Sequence, residues 1–266
     1  MSKIVECTPQ EKMVVYSARQ LKPFEGQQAL IGIGLPTMAA QLAKKMWSPN
    51  LNVIIENGSF DINLSEIPFS LFGARLTYGC SAQLDNGFAL SGPKRGRVKV
   101  GFIGAAQVDK NGNVNTTHIG PIEKMKARIA GSGGAVDIGC FCPNTFIVVP
   151  QNKRTFVERV DYVTTPGWIV PDNSTLERKW VHRKTLGLPG GPRAIITNLG
   201  IMKFKEESGE AYLEEYYAGI SPEQVLENTG FNLDISQARE AEPVTEEELQ
   251  ILRTQVDPLN LYKTRK

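Results

Sequence analysis

Val53-Ile54-Ile55-Glu56-Asn57-Gly58 decides how this chain folds. Three branched apolar residues in a row mark a strand covered on both faces, as inside an α/β sheet, since a strand with one wet face would alternate apolar and polar side chains. Asn-Gly then supplies the turn that ends the strand. Glu56 therefore sits at the mouth of a sheet, the edge where open α/β folds bind ligands. A carboxylate held there is either a structural cap for nearby backbone N–H groups or a reactive group.

On either side of this strand, elements alternate in a βα manner. Thr8-Pro9-Gln10-Glu11 has the form of a helix start, and Val14, Val15, Ala18 and Leu21 follow at helical spacing. Residues 29–34 read as a strand entering the Gly32-Ile33-Gly34 turn, and residues 36–47 as the next helix. Residues 59–99, rich in Gly, Ser and Pro, are expected to form short strands and long loops. Further strands are expected at 98–103, 146–149, 194–197 and 212–217, with a tight turn at Lys110-Asn111-Gly112-Asn113. Ser221-Pro222-Glu223-Gln224 and Thr245-Glu246-Glu247-Glu248 each open a helix. The expected class is α/β, an open, mixed to mostly parallel sheet flanked by helices. With no repeat, low-complexity segment or linker, one domain over 1–266 is expected, looser between 165 and 193.

Composition narrows the function. A net charge of +2 in 266 residues gives no pull towards nucleic acid. No apolar run approaches the ~18 residues of a membrane span. Met1 to Glu6 carries no apolar signal region, so a cytoplasmic location is expected. The four cysteines show no disulfide framework. Cys140 and Cys142 would need further ligands to hold a metal, and with only His118 and His182 as histidines no metal site is expected.

Three segments supply permissive backbone: Gly32-Ile33-Gly34, Gly101 to Asp109, and Gly131-Ser132-Gly133-Gly134-Ala135. Each is either a tight turn or a place where backbone N–H groups approach a phosphate or an oxyanion without a Cβ in the way. Position 37 is Thr, where a dinucleotide fingerprint needs its third glycine, and no Walker lysine follows any segment. Nicotinamide-cofactor binding and nucleotide hydrolysis are thereby excluded.

Taken together, Glu56, Gly104-Ala105-Ala106-Gln107-Val108-Asp109, Gly112-Asn113-Val114-Asn115-Thr116-Thr117 and the Gly131–Ala135 segment resemble the β subunits of family I coenzyme A transferases, in particular the glutaconate branch. Val160 to Trp168 and Pro222 to Phe231 extend the resemblance, which runs from about residue 8 to residue 260. It implies the fold of that family, with Glu56 as nucleophile. Gly133 and Gly134 become backbone contacts at the reacting carbonyl, and Asn57, Gly58, Gly34 and Gly104 line the substrate. The glutaconate enzymes commonly carry Ser where this chain has Asn57, which loosens the choice of glutaconate but not the chemistry.

The implied cycle needs no permanent cofactor, since a coenzyme A thioester is itself a substrate alongside a free, possibly dicarboxylic, acid. The carboxylate attacks the thioester to give a mixed anhydride and CoA thiolate. The thiolate then attacks the glutamyl carbonyl, leaving a glutamyl-CoA thioester and a free acid. The resemblance also implies a separate α subunit, in a hetero-oligomer of α–β pairs.

Several residues keep two readings. Pro93-Lys94-Arg95-Gly96-Arg97-Val98-Lys99 either meets the phosphates of CoA or is a solvated loop. His118 is a general base or a hydrogen-bonding side chain. Arg128 pairs with a substrate carboxylate or faces water beside Lys124 and Lys126. Asp85 and Asn86 lie in a loop that could shape the acid pocket. Two rival functions stand beside transfer. One is an acyl-CoA hydrolase or C–C bond-cleaving hydrolase on the same scaffold. The other is a non-catalytic acyl-CoA or sugar-phosphate sensor, which would want a DNA-binding segment that this chain lacks.

Overall fold

The computed structural model describes residues 6–174, 177 and 179–262; Met1 to Val5, on which most of the signal-region reading rests, lie outside them. The chain forms two compact units, one made of the residues up to 102 and those from 242 onward, the other of residues 103–241.

The first unit opens with α1 (Pro9–Arg19), capped as expected: Thr8 Oγ1 accepts from the Glu11 N–H at 3.2 Å, and the Glu11 carboxylate accepts from the Thr8 N–H at 2.8 Å. Met13, Val14, Val15 and Ala18 bury one face. Next come β1 (Gln28–Ile31), α2 (Leu35–Met46) and β2 (Asn52–Ile54). β1 and β2 pair in parallel with Leu30 opposite Ile54. Val53, Ile54 and Ile55 are buried, as a strand covered on both faces requires.

Residues 59–99 depart from the sequence reading. They hold two short strands, β3 (Ser59–Phe60) and β4 (Ala82–Gln83), and also two helices, α3 (Ala74–Tyr78) and α4 (Asn86–Lys94). Gly87, Gly92 and Pro93 disguise α4 as a loop. It forms because the Asp85 carboxylate accepts from the Phe88 N–H at 2.9 Å and the proline falls in the last turn. Gly92 has a packing reason: a Cβ there would stand 2.9 Å from Val98 Cγ2. β5 (Val98–Ile103) follows and pairs with β1 in parallel, Ile31 opposite Phe102. β3 and β4 add antiparallel strands beyond β2, giving the order β5-β1-β2-β3-β4.

In the second unit, β6 (Gln107–Val108) and β7 (Val114–Asn115) form a hairpin around the expected turn, where Asp109 accepts from the N–H groups of Asn111 and Asn113, both at 3.0 Å. A second hairpin joins β8 (His118–Ile119) to β9 (Ala127–Arg128). α5 (Ala135–Phe141) leads to β10 (Asn144–Val148). Within 165–193, β11 (Ile169–Pro171) and β12 (Trp180–His182) pair antiparallel, and the adjoining Arg183 is fully buried. β13 (Gly191–Ile196), β14 (Gly200–Phe204), β15 (Ala211–Tyr216), α6 (Pro222–Glu227) and β16 (Arg239–Glu240) complete the unit. β10 and β13 are parallel, β14 and β15 antiparallel, and β16 parallel to β15.

The chain then returns to the first unit as α7 (Glu246–Ile251). Glu248 ties it to α1, with both oxygens 2.7 Å from the Arg19 guanidinium. The class is α/β with mixed pairing, as the sequence indicates. Among the described residues, no helix is long and apolar enough to cross a membrane.

Candidate active site

The parallel register carries the site. Leu30 lies opposite Ile54, so the chain leaves β1 and β2 at one edge, through Gly32 on one strand and Glu56 on its neighbour. Thr37 Oγ1 donates to the Gly32 carbonyl at 2.7 Å and folds the Gly32–Gly34 connection onto α2. Gly34, at φ +90°, provides the left-handed step into that helix.

Glu56 stands in a β-turn closed by the Gly58 N–H donating to the Ile55 carbonyl at 3.0 Å. The side chain is half-buried. Residues from 24 to 30 positions later in the chain hold the turn from outside. The Asn86 amide donates to the Glu56 carbonyl at 3.0 Å, and the Gln83 amide donates to the Asn57 carbonyl at 3.0 Å. Gln83 Oε1 accepts from the Ser59 hydroxyl at 2.8 Å, and the Leu84 N–H donates to the Gly58 carbonyl at 2.8 Å. Within the turn, Asn57 Oδ1 accepts from the Ser59 N–H at 3.0 Å. The carboxylate thus hangs from a backbone fixed on both sides, at an edge shared with a glycine-rich connection.

In this turn Gly58 admits no other residue. Its φ is +93°, and a Cβ would collide with the Leu84 carbonyl. Gly58→Ala is expected to displace the Glu56 turn and lower stability by about 1–3 kcal/mol, the cost of forcing a Cβ into a left-handed and crowded position. Thermal unfolding of the variant measures this, and an unchanged Tm would show that the turn shifts without cost.

The other sequence-predicted site residues divide between the units. Glu56, Asn57, Gly58 and Gly34 belong to the first. Gly104, Gly133 and Gly134 belong to the second. Gly104 is exposed just after β5. Gly131 (φ +99°) and Gly133 (φ +46°) shape the loop before α5, and the buried Gly134 is the N-cap of that helix.

His118 is buried, with Nδ1 2.8 Å from the Gly120 carbonyl and its ring 5.1 Å from that of Tyr162, a structural placement. Arg128, Lys124 and Lys126 are exposed. Cys142 is buried, and burial pushes its thiol up to about 12, which makes it inert as a nucleophile or ligand. Among the described residues, no group of three or more His, Cys, Asp or Glu side chains could hold a metal ion.

Gln83 is the residue at this turn that sequence reasoning missed, and Asn86, read there as a loop residue that could shape the acid pocket, bonds the Glu56 carbonyl instead. Asp85 followed by Phe88, Ala89 and Leu90 is a weak helix-start signal that could have placed Asn86. Nothing local points to Gln83, whose partners lie across β3 and the turn.

The coenzyme A transferase family model matches residues 11–228. The B subunit of glutaconate CoA-transferase from Acidaminococcus fermentans is 39% identical over 266 residues, covering 97% of this chain and 96% of that protein. The B subunit of 3-oxoadipate CoA-transferase from Pseudomonas knackmussii is 39% identical over 249 residues, covering 91% of each. The crystal structure of glutaconate coenzyme A-transferase from A. fermentans matches with a TM-score of 0.88 and 36% identity, over 99% of this chain and 100% of that one.

Proposed function

The chain belongs to the coenzyme A transferase family, and from that premise we propose that it is the B-type subunit of an enzyme that moves CoA from an acyl-CoA to a free carboxylic acid, with Glu56 carrying CoA between them. The observation behind this reading is the placement of Glu56: a half-buried carboxylate in a rigid turn at the carboxyl edge of parallel strands.

A carboxylate is a weak nucleophile in water because hydration stabilises its charge; partial burial removes some of that hydration. Glu56 attacks the thioester carbonyl carbon, the C–S bond breaks, and CoA leaves as thiolate. The thiolate attacks the Glu56 carbonyl carbon of the mixed anhydride and expels the donor acid as its carboxylate. An acceptor carboxylate then reverses both steps, and Glu56 is regenerated. No net proton is consumed and the thioester energy is conserved, so CoA enters as substrate and no resident cofactor is used. Gly133 and Gly134 take the role of backbone donors to the oxyanion, and Gly34, Asn57 and Gly58 line the substrate's approach.

Relatives named as B subunits support a complementary α subunit in an assembly of α–β pairs. The same names, glutaconate and 3-oxoadipate, favour a short dicarboxylic acid as acceptor. The enzyme is read as cytoplasmic.

Borohydride trapping tests the reading. The complex of the chain and its partner subunit is incubated with a short acyl-CoA, reduced, and the peptide containing Glu56 is weighed. Conversion of the Glu56 side chain to the primary alcohol is expected, because a thioester is reduced where a carboxylate is not. An intact Glu56 while acyl-CoA is consumed would favour a hydrolase on the same scaffold instead.

A further inference from the structure

We infer that the ring of Tyr262 is a wall of the acid-binding pocket beside Glu56 and sets the length of acid that the enzyme accepts; this deepens the transferase reading above and rests on it. Gly34 lies on the connection that leaves β1 at the edge carrying Glu56, with no side chain and at φ +90°. An aromatic ring stands against its open face: a Cβ on Gly34 would lie 3.7 Å from Tyr262 Cε1, an ordinary contact distance. Neighbouring strands run about 4.8 Å apart, and Gly34 follows Gly32 by only two residues, so the ring lies within about 15 Å of the Glu56 backbone. Glu56, Gly34 and Tyr262 all belong to the first unit.

The ring is fixed at both ends. Its hydroxyl donates to the Pro68 carbonyl at 2.9 Å, and the Tyr262 N–H donates to Asp257 Oδ2 at 3.2 Å. Asp257 is buried; its other oxygen accepts from the Leu261 N–H at 2.9 Å, and its carbonyl accepts from the Asn260 N–H at 3.0 Å. Asn260 turns the chain at φ +51°, in the left-handed region that a side chain enters only where its surroundings impose it. The Phe69 ring stacks against Tyr262 with centroids 6.4 Å apart and planes 25° apart.

Rings packed for stability alone would be covered. Here Tyr262 is half-buried and Phe69 is 63% exposed, beside a reactive carboxylate. Such a surface suits the hydrocarbon part of an acid, which covers the rings and displaces water that would otherwise hydrolyse the anhydride. The reacting carbon must sit at Glu56. A chain running from there along the sheet edge meets no side chain at Gly34, and each added methylene brings its far end closer to the Tyr262 ring.

The probes are glutaryl-, adipyl- and pimelyl-CoA, given to the complex with the partner subunit. Timed borohydride trapping reads the rate constant for thioester formation on Glu56. In wild type this rate constant is expected to fall with chain length. Tyr262→Ala is expected to raise the pimelyl-to-glutaryl ratio about 10-fold, the scale on which an apolar pocket discriminates methylenes. Tyr262→Phe keeps the ring, and its ratio stays within a factor of about two of wild type. Tyr262→Trp lowers the ratio, and reads the same wall if the alanine variant does not fold. A Tyr262→Ala enzyme slowed by one factor on all three probes overturns the inference, because the ring then only braces the Pro68 segment. So does a wild type indifferent to length, or a Tyr262→Ala chain that no longer co-elutes with its partner, which would make the ring an interface residue. A wild type that forms no thioester with any probe sinks the transferase reading and this inference with it; one that forms it, with a ratio unmoved by Tyr262→Ala and Tyr262→Trp, sinks this inference alone.

Discussion

Glu56→Gln is expected to abolish CoA exchange, lowering kcat by about 10⁴-fold or more, the scale on which removal of a covalent nucleophile acts. An amide of the same shape cannot form the anhydride, because its nitrogen lone pair is delocalised into the carbonyl. The turn itself should survive, since Asn86 and Gly58 bond the backbone and not the side chain. The variant should therefore unfold at the wild-type temperature and still bind CoA, so that loss of exchange reports on chemistry alone. Exchange retained above about 1% of wild type would remove Glu56 from the centre of the mechanism. Glu56→Asp separates position from identity: the carboxylate stays but is withdrawn by one methylene, and a loss of roughly 10²-fold is expected from misplacement.

Arg183→Met is expected to be the most damaging substitution for stability. Arg183 is fully buried, and its guanidinium donates to five carbonyls, those of Pro166, Gly167, Gly139, Cys140 and Pro189. These come from the end of α5, the approach to β11 and the approach to β13, so one side chain joins three segments of the second unit. Burial pushes its pKa down to about 10, which still leaves it charged at neutral pH. Methionine fills the volume but leaves the carbonyls without a donor, at a cost of about 3–5 kcal/mol. In a chain of this size that lowers Tm by roughly 10 °C. Arg183→Lys should fall between, because three donors on a compact ammonium reach fewer carbonyls than a planar fork. Thermal unfolding monitored by circular dichroism measures both, and a Tm within about 2 °C of wild type would show that water replaces the lost donors.

The parts of the fold that are legible in the sequence are those written in local chemistry. Thr8, Ser221 and Thr245 each close a reciprocal capping box three residues into their helices. The run Val53-Ile54-Ile55 declares a buried strand, and Glu56 stands at its end as the sequence indicates. α4 is not legible, because glycine and proline argue against a helix locally while packing against β5 and an Asp cap favour it. Nothing local in the sequence marks Arg183 as internal; the convergence of distant carbonyls makes it so. The residues that steady Glu56 are illegible for the same reason: Gln83 and Asn86 meet the turn across more than 20 positions of chain.

That last arrangement bears on transplanting the Glu56 carboxylate. The hexapeptide Val53–Gly58, moved alone into another scaffold, would carry the carboxylate without the donors that fix its backbone and without the Leu84 carbonyl that Gly58 exists to accommodate. The smallest portable cassette runs from the start of β2 to the first turn of α4, about residues 52 to 88, with β3, β4 and the segment between them acting as a clasp. A chimera that respects those limits inherits a rigid carboxylate; one cut closer inherits a glutamate on a loose loop.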